Sequence, residues 1–252
     1  MPGSLIPDQP ELLDLVGQDQ AVGICQRAMA RDRLPHAVLL SGPRGVGRRT
    51  FAEALARTLL CDEPVEVANA GRFAALADDA PLCQACGRCP SCRQATAGSH
   101  PDLLHVYKEL ARYHDDPKVR NRLMQELGIP VIRQFLIAPS CQAPARKRGK
   151  VFIVHEAELM SNPAQNALLK TLEEPPPGVT LLLLCQRAEQ LLPTTRSRCA
   201  LLRFGPLPRD FVRDRLAADG IAPGEADFWA AFTGGSIGRA VECSRRELYP
   251  LK

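Results

Sequence analysis

AVLLSGPRGVGRRTFAEAL, residues 37–55, decides the fold of this chain. An apolar run, a glycine-rich turn and an amphipathic segment follow one another, the strand–loop–helix context of a phosphate-binding loop. Gly42 and Gly47 have the spacing of G-x-x-x-x-G-K-[ST], with Gly45 between them. Where that pattern asks for Lys and then Ser or Thr, the chain carries Arg48 and Arg49, and Thr50 brings a hydroxyl one position late. The backbone amides and the helix N-terminus still favour an anion. Arg48 keeps the charge of the Lys, but as a planar fork instead of a compact ammonium. Arg49 puts a second cation where a hydroxyl should hold Mg²⁺. Two arginines in a first helical turn oppose the helix dipole, at about 0.3–1 kcal/mol each. An acidic side chain or a bound anion is therefore expected beside them. Taken alone, the glycine turn also reads as a tight end to a strand.

Working outward, further short apolar runs read as strands: LLHVY at 103–107, VFIV at 151–154, TLLLLC at 180–185 and ALLRF at 200–204. They lack polar alternation, which suits a sheet covered on both faces. Helical stretches separate them. RRTFAEALARTLL puts Phe51, Leu55, Thr58 and Leu59 on one face. In SNPAQNALLKTLEEPPP, Ser161 or Asn162 caps the helix, Pro163 suits its first turn, and Ala164, Ala167, Leu168 and Leu172 form its stripe. Pro175 to Pro177 stop it. The alternation predicts an α/β domain with a parallel doubly wound sheet. RDFVRDRLAADG, EADFWAAFTGG and SIGRAVECSRRE then read as three amphipathic helices. The boundary is set at 1–206 for the P-loop domain and 207–252 for a small all-helical lid. Residues 108–128, charged and helical in tone, read as an insertion, and PARKRGK at 144–150 as an exposed loop.

The metal side of the loop is altered as well. A P-loop ATPase places an Asp after the strand corresponding to VFIV to hold Mg²⁺, often followed by a Glu that activates water. Here His155 and Glu156 stand there. Mg²⁺ prefers hard oxygen ligands, for which a neutral imidazole is a poor substitute. Lys, hydroxyl and carboxylate are thus replaced together, and productive ATP binding is not expected.

The 252 residues carry 32 basic and 28 acidic side chains, a balance that does not force a nucleic-acid partner. No apolar run reaches the roughly 18 residues that span a bilayer. The first residues lack the basic and apolar regions of a signal peptide, so a cytoplasmic location is expected. In a reducing compartment, clustered cysteines more often bind metal than form disulfides. LCQACGRCPSC sets Cys83, Cys86, Cys89 and Cys92 two residues apart, and four thiolates suit a closed, structural Zn²⁺ site. Spacing alone selects those four, although one short peptide wrapping a tetrahedron is cramped. Cys25, Cys141 and Cys243 read as packing residues. The cluster together with ARKRGK also allows direct nucleic-acid contact.

HAVLLSGPRGVGRRT, ARTLLC, CGRCPSCRQATAGSHPDLL, KVFIVHEAELMSNPAQNALLKTLEEPPPG and LLPTTRSRCALLRF occur in this order. Together they resemble the clamp-loader subunits of bacterial DNA polymerase III, within the AAA+ ATPases. The resemblance runs from LVGQDQAV to GGSIGRAV. It implies an AAA+ P-loop domain with a zinc module near 61–92 and a helical lid. The family has hydrolysing gamma and tau motors and a rigid, non-hydrolysing delta-prime branch, and the degenerate loop with His155 matches the latter. The implied partners are gamma/tau and delta subunits, with the sliding clamp and primer-template DNA reached through the complex. The alternative is a hydrolysing gamma/tau-type ATPase.

The resemblance also assigns residues. Arg198, in Ser-Arg-Cys, matches an arginine finger that reaches the ATP of an adjacent subunit, with Arg196 a nearby competitor. Arg239 matches a sensor-2 arginine, which beside an empty site would be a relic or a helix-packing salt bridge. Cys185 and Gln186 stand where a sensor-1 Thr or Asn is usual. Cys61 matches the family's first zinc ligand, giving Cys61, Cys86, Cys89 and Cys92, with Cys83 as the alternate. A third, collar domain is implied beyond Lys252, so it is expected to be missing by truncation or by loss.

Overall fold

The computed structural model of the chain describes residues 10–74, 76–120 and 125–246. The first nine residues, the last six, and residues 121–124 of the expected insertion lie outside the described residues.

In chain order the elements are α1 (Asp19–Ala30), β1 (Ala37–Ser41), α2 (Arg48–Leu60), β2 (Val65–Ala68), β3 (Pro81–Gln84), α3 (Pro90–Thr96), β4 (Leu103–Val106), α4 (Pro117–Arg120), α5 (Ile129–Ile132), α6 (Ala138–Ser140), β5 (Lys150–Val154), α7 (Asn162–Glu173), β6 (Val179–Cys185), α8 (Pro193–Arg196), β7 (Ala200–Arg203), α9 (Arg209–Ala218), α10 (Pro223–Phe232) and α11 (Ile237–Arg245). Five strands form one sheet in the order β4-β5-β6-β1-β7, and every pairing in it is parallel. All five predicted strands are present. β1 lies inside the sheet, Ala37 opposite Leu181 and Val38 opposite Ala200.

Side chains on a strand alternate between faces, so an unbroken apolar run feeds two cores. Val38, Leu40, Val151, Ile153, Leu182 and Leu184 join one core with Phe51 and Leu55 of α2. Leu39, Phe152, Val154, Leu181 and Leu183 join the other with Leu168 and Leu172 of α7. Ser161 caps α7, its hydroxyl accepting from the Ala164 amide at 3.3 Å.

Two elements were not anticipated by the sequence reading. β2 and β3 form a separate antiparallel hairpin. Residues 129–140 are helical, although Ile129, Val131 and Ile132 carry a strand-like composition. Pro130 at the start of α5 removes only an amide that would have had no helical partner. Pro139 lacks an amide and its ring crowds the carbonyl four residues back. Just before it, Arg133–Ile137 widens into a π turn, with the Ala138 amide donating to the Arg133 carbonyl. The segment 144–150 is a loop exposed at 144, 145, 147 and 148, as expected, and only Gly149 and Lys150, where β5 begins, are buried. The Asp102 carboxylate accepts from the Ala145 and Arg146 amides, both at 2.8 Å. Buried Lys150 donates Nζ to the Pro139 and Gln142 carbonyls. Cys141 is exposed and so is not a packing residue, whereas Cys25 is buried and Cys243 packs against the helical core.

α9, α10 and α11 bury Val212, Leu216, Trp229 and Ala240 in a core of their own. No helix among the described residues is long and apolar enough to cross a membrane.

Candidate functional site

The carboxyl ends of β1, β5 and β6 converge on the glycine loop, where open α/β sheets place ligands. The loop's turns require glycine. Gly47 caps α2 at φ +94°, and Gly45 has φ +78°. A Cβ on Gly42 would overlap the Phe204 carbonyl oxygen. The start of α11 lies directly on the loop: Ser236 donates its hydroxyl to the Arg44 carbonyl at 2.7 Å, and the Gly238 amide donates to the Gly45 carbonyl at 3.3 Å. Gln18 donates to the Val46 and Gly205 carbonyls, both at 3.0 Å. A cavity of about 460 Å³ lies between loop and lid, bounded by Val16, Val46, Gly47, Thr50, Phe211 and Ile237.

The two arginines have acidic neighbours, as their place against the helix dipole requires. Arg49 Nε lies 2.7 Å from Glu53 Oε1. Burial pulls the Arg48 pKa down, and the Glu158 carboxylate is the main opposing influence. Glu158 accepts from the Gln186 amide with Oε1, while its buried Oε2 has no hydrogen-bond partner among the described residues.

His155 pairs with another histidine instead of facing a metal-binding set. Its Nε2 is 3.0 Å from His105 Nδ1, with the rings stacked at 5.3 Å. Burial first, then His105 and Arg49, pushes the His155 pKa down to about 3. Glu156 has φ +48° and Oε2 lies 3.4 Å from Lys108 Nζ. Arg239 is exposed and forms no ion pair among the described residues, so the expected helix-packing salt bridge is absent there.

Arg198 stands beyond β6, just before β7. Its Nη2 lies 2.6 Å from Glu173 Oε1, and Nη1 donates to the Thr194 carbonyl at 2.9 Å and to Ser197 Oγ at 3.4 Å. Arg196 keeps a buried Nε with no hydrogen-bond partner among the described residues.

The cysteine site is assembled from two distant segments. Cys61 ends α2, while Cys86, Cys89 and Cys92 surround the start of α3, and their four Sγ atoms lie within 4.8 Å of one another. Cys61 Sγ is 3.9 Å from that of Cys89 and 3.5 Å from that of Cys92. Tetrahedral Zn–S bonds of about 2.3 Å require sulfur–sulfur edges of about 3.8 Å, so the donor set fits such an ion. Amides of Cys86, Cys89 and Cys92 point at the sulfurs of Cys61, Cys86 and Cys89 at 3.3–3.4 Å, which favours thiolates. Cys83 lies in β3, its amide donating to Gln26 Oε1 at 2.7 Å, outside the four-sulfur group.

A polar relay missed by the sequence reading ties this site to the sheet. The Asp102 amide donates to His100 Nδ1, so Nε2 carries the proton and donates to Ser91 Oγ at 2.8 Å. Ser91 in turn donates to the Leu60 carbonyl. The sequence signal was slight: Ser99, His100 and Asp102 cluster around Pro101 just ahead of a strand, with Ser91 eight residues before Ser99. Glu158 and His105 gave none, because they reach the loop from separate elements.

The order of the sheet, the loop and the helices above it define an AAA+ P-loop domain followed by a helical region. The RuvB Holliday junction branch migration motor of Thermotoga maritima has this fold, with a TM-score of 0.56 at 14% identity over 96% of this chain and 65% of its own. Residues 17–208 match the family described as DNA polymerase III, delta subunit, and the chain belongs to that family. It is 36% identical to DNA polymerase III subunit delta' of Pseudomonas aeruginosa over 69% of this chain and 44% of that protein. The figures for subunit delta' of Bacillus subtilis are 28%, 91% and 60%. For subunit tau of Escherichia coli they are 30%, 81% and 27%. The chain thus spans between about a quarter and three-fifths of these relatives' lengths.

Proposed function

We propose that this chain is a delta-prime-like, non-hydrolysing structural subunit of the DNA polymerase III clamp loader. It helps load the sliding clamp onto primed DNA and supplies Arg198 to the ATP site of a neighbouring subunit. It works in the cytoplasm with gamma/tau and delta subunits, and meets clamp and primer-template DNA through the complex. Residues 1–206 form the AAA+ domain and 207–252 the lid.

The observation that carries this reading is internal pairing around the loop. Arg49 is matched to Glu53, Glu156 to Lys108 and His155 to His105. Each residue standing at a metal- or water-handling position is thus engaged by a neighbouring side chain. Cys61, Cys86, Cys89 and Cys92 would hold a structural Zn²⁺, whose chemistry is to clamp the end of α2 to α3. Arg198 would place a fixed cation beside a transferring phosphoryl group, an arrangement worth about 10³–10⁵ in rate.

Identity to tau and the cavity under the lid favour a second reading, a hydrolysing gamma/tau-type ATPase. Equilibrium dialysis with ATP, with and without Mg²⁺, separates the two. The expected result is no tight Mg²⁺-dependent binding and no turnover, and the opposite result establishes the second reading. In a reconstituted loader, Arg198→Ala should depress DNA-stimulated ATPase, and unchanged activity removes the finger assignment.

A further inference from the structure

We infer that Glu173 is the positioning residue of Arg198, an inference that rests on reading Arg198 as a finger in trans. Glu173 is the last residue of α7, and a carboxylate there is unfavourable beside the negative end of a helix dipole. Arg198 relieves that arrangement, with Nη2 at 2.6 Å from Oε1. The other terminal nitrogen donates to the Thr194 carbonyl in α8 and to Ser197 Oγ. The guanidinium is therefore held from three places: the end of α7, the body of α8 and the turn that follows it. Nε has no hydrogen-bond partner among the described residues, so the group keeps a donor for a further acceptor.

A long arginine side chain free in water samples many rotamers, and ordering it has an entropic cost. Here the ordering is done inside the chain before any neighbour's nucleotide arrives. A donor fixed in advance does not have to reorganise as charge develops in the transition state. Arg198 is 34% exposed and Glu173 48% exposed, so the pair is reachable from outside. The carboxylate itself touches no reacting atom. It sets where the guanidinium points.

The test uses the full chain in a reconstituted clamp loader, with steady-state ATPase of the neighbouring site as the readout. An exposed ion pair of this kind is worth enough to change a rate about two- to fivefold. Glu173→Ala should lower kcat by that factor with KM unchanged, and Glu173→Gln, which keeps an acceptor oxygen, should lower it less. Glu173→Ala combined with Arg198→Ala should match Arg198→Ala alone. An Ala variant with normal kcat overturns the inference. So does a Glu173→Ala loss of the same size in the Arg198→Ala background, because the carboxylate would then act through the fold. If Arg198→Ala itself has no effect, the finger reading fails. If it has a large effect while both Glu173 variants are silent, only the role of Glu173 fails.

Discussion

His155 shows how one residue position can change the chemistry of a loop. An aspartate there would bring a negative charge to the end of β5, but a histidine brings a ring that hydrogen-bonds to His105 and stacks on it. Burial, His105 and Arg49 hold its pKa near 3, against an ordinary value of 6.5. Tyr107 packs edge-on and Glu53 lies near His105. Between those pH values the unfolded chain binds a proton that the folded chain refuses. Stability from this site is therefore complete above about pH 6.5 and is lost as pH falls toward 3, at up to about 1.4 kcal/mol per pH unit. His155→Gln should flatten the dependence of unfolding free energy on pH in that window, followed by urea denaturation at several pH values. An unchanged slope would show that the burial of His155 is not what matters.

At the scale of elements, the cysteine site is a clasp between the end of α2 and the start of α3. Its membership is a direct prediction. Cys61→Ser should abolish stoichiometric metal binding, and Cys83→Ser should leave it intact, both read by elemental analysis of the purified chain. The reverse pattern would return the site to the evenly spaced four. This site also marks how far the sequence could be read. Spacing favoured Cys83 because the eye follows the chain, whereas the ligand atoms converge through α2, which spacing does not encode. Strands fared better. Val151 to Val154 and Leu181 to Leu184 are buried on both faces, so their apolar runs are unambiguous. The hairpin β2–β3 was missed because Val65–Ala68 is exposed along its length and alternates with nothing buried. The helix at 129–140 was missed because β-branched Ile129, Val131 and Ile132 flank Pro130, and their local signals are overridden by packing against α7. The expectation of an acidic partner for Arg48 and Arg49 was legible from the helix dipole, but the identity of Glu158 was not.

For the whole molecule, the joint between sheet and lid is a backbone-to-backbone contact. A Cβ added to Gly45 would stand 2.5 Å from Ser236 Oγ and 2.8 Å from the Gly238 amide nitrogen, at a φ that already disfavours a side chain. Gly98 has a similar φ of +68° with nothing near its Cβ direction. Gly45→Ala should therefore cost about 1–3 kcal/mol more than Gly98→Ala, combining strain with overpacking. Chemical denaturation of the two variants measures the difference, and equal losses would mean that the lid does not bear on the loop. The lid was legible as three amphipathic helices. Its contact with the loop was not, since glycines record an approach of backbones without naming the partner.

The strand order has a consequence for how the molecule is made. β1 is flanked by β6 and β7, and more than half the chain separates Ala37 from Leu181. During synthesis this apolar, buried strand emerges early and then waits, without either lateral neighbour, until nearly the whole domain has followed it. Contacts so distant in sequence form slowly, and an unpaired apolar strand is what sticks to other nascent chains. This fold therefore places its greatest exposure to misassembly on the ribosome, in the interval between the birth of the glycine loop and the arrival of the strand that carries Arg203.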